Sequence, residues 1–61
     1  MEPWFKRLLK EKDDLQKRIL KLEIAILEGK LPKESIPLIQ AQLSAMKMYR
    51  DIMSQRIQNH E

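Results

Sequence analysis

The sequence predicts an all-α protein, an antiparallel two-helix hairpin that assembles into a homo-oligomeric helical bundle. Three observations carry this. Apolar residues recur at spacings of three and four in two long stretches, no stretch alternates with the period of two that a strand requires, and Gly29 with Pro32 divides the stretches. Residues 1–61 read as one hairpin domain, with a helix over about 3–28, a linker over about 29–35 and a second helix over about 36–58.

Pro3 suits the first helical position, where a missing N–H costs nothing, and Glu2 stands beside the positive end of the helix dipole. Phe5, Leu8, Lys12, Leu15, Ile19, Leu22 and Ile26 then form a heptad seam with one polar interruption. Leu9, Leu20 and Leu27 widen the apolar arc to about 160° at about 100° per residue, more than one neighbouring helix covers. Gly29 suits a left-handed exit turn, and Pro32 cannot continue the helical ladder.

The second helix is expected to begin near Ser35 to Pro37, with Ser35 as a capping side chain. It carries two apolar stripes. Ile39, Leu43, Met46, Met53 and Ile57 form one, while Leu38, Ala41, Ala45, Met48 and Ile52 form the other, with Tyr49 between them. Together they span about 220°, so a hairpin partner leaves one stripe uncovered, and the small Ala41 and Ala45 admit a second backbone closely. Ala45 and Met46 are expected at the heart of the packing. Even-numbered assemblies follow most simply, because two-fold pairing of hairpins makes a four-helix layer.

Composition narrows the chemistry. The 61 residues hold 12 Lys+Arg against 9 Asp+Glu, one His and no Cys, with a formal charge of +3. Disulfides, Cys-ligated zinc and thiol catalysis are excluded, and His60 has no second His at ligand spacing. Asp13 and Asp14 are adjacent, so their carboxylates point about 100° apart and form no acid/base pair or metal clamp. There is no Gly-rich phosphate loop. No catalytic residue, no metal site and no cofactor are therefore expected. The longest uncharged run, Ser35 to Met46, is shorter than the roughly 20 residues of a bilayer span, so a soluble protein without membrane partners is expected.

The charges are largely self-compensating. Asp13 to Lys17 and Asp14 to Arg18 have the favourable carboxylate-first spacing of four. Antiparallel pairing should nevertheless bring Lys6, Arg7 and Lys10 towards Arg56 and His60, with Trp4 and Tyr49 near enough to offer stacking surfaces to a base. Arg50 and Lys12 break the seams on the same half of the hairpin. They either reach solvent, pair with Asp13, Asp14 or Asp51, or line an oligomeric pocket for a multiply charged anion. The candidate ligand-binding set is Arg50, Arg56, Lys10, Lys6, Trp4 and Tyr49, and the candidate partners are further copies of the chain and an anionic nucleotide.

The run Glu11, Leu15, Ile19, Lys21, Leu22, Glu23, followed by Leu38, Gln42, Leu43, Met46, Tyr49, Arg56, Ile57, resembles small phage proteins related to an uncharacterised crAss-like phage protein. The shared order is E...L...I.KLE, a linker, then L...QL..M..Y......RI. Such hairpins are also similar in size and style to those of phage sponges of the anti-CBASS and anti-Thoeris type. That resemblance implies an anti-defence protein, cytoplasmic in an infected bacterial host, that sequesters a cyclic oligonucleotide or cyclic ADP-ribose-type immune signal without cleaving it. The competing readings are a helical-hairpin RNA- or DNA-binding regulator, similar in length and topology to the plasmid protein Rop, and a structural protein–protein adaptor. A formal charge of +3 with extensive self-pairing is a weak electrostatic footprint for nucleic acid.

Overall fold

The computed structural model describes residues 2–60. Helix α1 spans Pro3–Leu27, a single 3₁₀ turn covers Lys33–Ser35, and helix α2 spans Ile36–Gln58. No strand occurs among the described residues. The particle measures 44 × 14 × 13 Å, the shape of two long helices lying side by side.

Pro3 occupies the first turn of α1, and Glu2 precedes it in an extended conformation without a side-chain cap. At the other end Gly29 adopts φ +68°, the Lys30 N–H reaches the Ala25 carbonyl and the Gly29 N–H reaches the Ile26 carbonyl, both at 3.1 Å. These two bonds make a Schellman motif that satisfies carbonyls left over at the helix end. Ser35 departs from expectation. It is itself in helical geometry and makes no side-chain capping bond, because the 3₁₀ turn already delivers the chain into α2 and the Ser35 N–H bonds to the Pro32 carbonyl at 3.0 Å.

The core is one seam. Leu8, Leu15, Ile19, Leu43 and Met53 are buried, and Phe5, Leu22, Ile26, Met46 and Ile57 pack partly buried against them. Ile19 and Met53 are fully enclosed. Met46 faces this core, while Ala45, expected with it at the heart of the assembly's packing, lies on the exposed surface of the single hairpin, one residue's step of about 100° past the seam. Interhelical polar contacts on one flank hold the register: Lys47 Nζ lies 2.8 Å from Glu23 Oε2, and Arg50 Nη1 donates to Gln16 Oε1 at 3.1 Å.

Much apolar surface stays outside. Leu38 is 78% exposed and Leu27 85% exposed, with Met48, Ile52 and Tyr49 open on α2 and Leu20 and Ile24 open on α1. Counted at about 100° per residue, the α2 stripe lies about 130° from the core direction, towards the flank where Tyr49 meets Arg18. The α1 stripe borders the other flank, where Leu27 meets Ser44 and Lys47.

Candidate functional site

Antiparallel pairing gathers aromatic rings and cations at one end of the hairpin. His60, just beyond α2, stacks on Phe5 with centroids 3.9 Å apart and planes at 19°. Its edge-to-face contact with Trp4 is at 5.0 Å, and Trp4 meets Phe5 edge-to-face at 5.6 Å. His60 Nε2 also lies 3.5 Å from Glu2 Oε2, which adds a polar contact beside the stack. Trp4 remains 45% exposed, which leaves ring surface for another planar group.

Beside this stack Trp4, Arg7, Leu8, Glu11 and Arg56 line a cleft of about 200 Å³. A neighbouring cleft of about 220 Å³ is lined by Glu11, Asp14, Leu15, Arg18 and Tyr49, so Glu11 is common to both. Their charges differ. The Trp4 cleft sets two guanidinium groups against one carboxylate, whereas the Tyr49 cleft sets one against two. Asp14 stays anionic there: a hydrogen bond from Lys10 at 3.0 Å holds its carboxyl below the usual value, with the charges of Lys17 and Arg18 assisting and partial desolvation opposing. With Lys10 paired to Asp14 the Tyr49 cleft is close to neutral, whereas the Trp4 cleft keeps two guanidinium groups against one carboxylate and is the one of the two that favours an anion.

The six residues singled out from the sequence are dispersed. Arg56 and Trp4 share the basic cleft, and Arg7 joins them. Tyr49 lies in the next cleft, and Lys10 reaches that region only through its ion pair with Asp14. Lys6 is exposed and lines neither. Arg50 is engaged within the hairpin, since Nη1 donates to Gln16 and Nε to Asp51 Oδ1 at 3.2 Å, and its side chain is 26% exposed. The expected Asp14 to Arg18 pair is replaced by Lys10 to Asp14, while Asp13 to Lys17 forms at 3.0 Å. Lys10 lies one turn back on the same face, so its flexible ammonium is also within reach of Asp14.

Sequence reasoning missed Glu11 and the stacking of His60 on Phe5. The available signal was the hairpin register, in which contacting residue numbers sum to about 65, as Phe5 with His60 and Gln16 with Arg50 do. Among the described residues no group of three or more His, Cys, Asp or Glu could hold a metal ion, and no helix is long and apolar enough to cross a membrane.

Comparison with curated proteins and with solved structures gives no match. Comparison with protein families gives one over almost the whole chain: residues 2–59 match Sequestin, and the chain belongs to the Sequestin family.

Proposed function

We propose that this protein is a non-enzymatic sponge of phage origin, a homo-oligomer of helical hairpins that binds and holds an anionic nucleotide immune signal in the host cytoplasm. The family name speaks of sequestration, and binding without turnover is the plainest form of it. The observation that carries the reading is the basic, aromatic cleft in which Arg7 and Arg56 flank Trp4. Guanidinium forks bind phosphate through paired, charge-assisted hydrogen bonds, and an indole offers a stacking face to a base. Tyr49, beyond Glu11, is placed to receive a second, uncharged part of the ligand.

A cleft of about 200 Å³ is smaller than the roughly 300–1,000 Å³ typical of small-molecule sites. A nucleotide held there needs further walls, and another copy of the chain supplies them. Lys10 and Lys6 contribute to the surrounding positive field, whereas Arg50 acts mainly by keeping the helix register. Calorimetry with a panel of cyclic dinucleotides, cyclic trinucleotides and cyclic ADP-ribose isomers, beside duplex RNA and DNA, tests the reading. Saturable binding of one nucleotide class is expected, with Arg56→Ala weakening it by about tenfold or more, as loss of a hydrogen bond to a charged group does. Binding of duplexes alone would point to the nucleic-acid regulator. No binding of any member of the panel would leave the adaptor.

A further inference from the structure

The outward stripe of α2 is close to a palindrome. Leu38 and Ile52 lie seven residues on either side of Ala45, Ala41 and Tyr49 lie four on either side, and Glu34 and Arg56 lie eleven on either side. At about 100° per residue Leu38, Ala41, Ala45, Met48, Tyr49 and Ile52 fall within an arc of about 100° on α2; Arg56 continues that arc towards the end of α2, and Glu34 sits in the 3₁₀ turn that leads into its other end. None of these residues is buried by the hairpin, and neither Glu34 nor Arg56 forms an ion pair among the described residues.

We propose that this stripe is the dimer interface, with α2 of a second copy of the chain packed antiparallel on it and the two-fold axis passing beside Ala45. The symmetry fixes every partner. Ala45 meets Ala45 of the second copy, Leu38 meets its Ile52, and the small Ala41 faces its Tyr49 as a hole faces a knob. Glu34 meets its Arg56, so the apolar seam is closed at both ends by opposite charges. A parallel pairing instead sets Glu34 on Glu34 and Arg56 on Arg56 and is disfavoured. Alanines at the centre allow the helix axes to approach to about 8 Å, the close end of the normal range.

The area agrees with a second copy as occupant. The chain of 7.3 kDa exposes 4962 Å². The scaling of folded monomers gives about 4,200 Å² for that mass. The surplus is about 800 Å², which is about one partner's share of a standard interface. Arg56 carries five N–H donors, enough to meet Glu34 of the second copy along one edge while another edge borders the Trp4 cleft.

The inference does not depend on the sequestration reading, because its test contains no nucleotide. Mass is followed by sedimentation across chain concentrations for Glu34→Arg, Arg56→Glu and the double reversal. Each single reversal sets like charges together at both ends of the dimer and is expected to raise its dissociation constant by about tenfold or more. The double reversal is expected to restore it to within about threefold of the parent. The chain has no Cys, so Ala45→Cys introduces a lone thiol, expected under mild oxidation to cross-link into covalent dimers while Lys17→Cys does not. Failure of the double reversal to rescue, or equal cross-linking from both positions, overturns the interface.

Discussion

Gly29 tests how the hairpin is turned, because its two costs can be separated. Its φ of +68° lies in the left-handed region, and a Cβ built on it meets nothing within 4 Å. Replacing it with Ala therefore adds no clash, and only the backbone penalty remains, about 1–2 kcal/mol for an L-residue held there. For a domain this small that is a fall in Tm of roughly 4–16 °C. Gly29→Asn should recover part of the loss, since Asn tolerates this conformation better. A chemically synthesised chain with D-alanine at position 29 is the decisive comparison. Its mirror-image preference suits positive φ and the unfolded chain loses freedom, so stabilisation by about 0.4–1 kcal/mol is expected. Thermal and urea unfolding at one fixed chain concentration read all four proteins. If L-Ala and D-Ala shift stability alike, the left-handed Schellman exit is not what closes α1.

Met53→Ala empties a fully enclosed position and should cost about 2–5 kcal/mol, enough to abolish cooperative unfolding at low chain concentration by circular dichroism. Arg50→Ala should act through the fold: it leaves Gln16 without its partner across the hairpin, so thermal stability falls while phosphate-dependent binding changes less than in Arg56→Ala. The surface pairs set the pH range. Asp14 has a lowered pKa, so its contribution is present above its ordinary 3.8 and is lost as pH falls through the lower folded value. Lys17, raised by its bond to Asp13, contributes below 10.5 and loses that contribution as pH rises through its higher folded value. Helicity at low salt should therefore be flat between these limits and fall outside them, and added salt should shrink both falls. A main transition near neutral pH contradicts this.

What could be read from the sequence was what repeats within a few residues. The seams Phe5 to Ile26 and Ile39 to Ile57 announce themselves through spacings of three and four, and the first packs at the core with the second from Leu43 onwards. Gly29 followed by Pro32 announces the turn, because few backbones need positive φ. Contacts across the hairpin were harder, because they depend on a register accumulated over distant positions. Gln16 and Arg50 are 34 residues apart, and nothing local to either names the other. The same holds for Trp4 and Tyr49, whose rings fall in adjacent clefts with Glu11 between them. Local spacing also left Asp14 with a cation four residues away on either side, Lys10 and Arg18, and spacing alone does not say which of them it pairs with. Ser35 was read as a cap from its type alone, and the 3₁₀ turn ahead of α2 removed the need.

Sequestration without catalysis is tested most directly by what the protein gives back. The folded protein is saturated with the nucleotide that binds in calorimetry, freed of excess by filtration, heated until it unfolds, and the released material is weighed by mass spectrometry. Retention of the nucleotide while folded and its release unaltered on unfolding, at one fixed ratio to the chains, are expected of a sponge. A hydrolysed or rearranged product, or free passage of the nucleotide through the filter before heating, contradicts it.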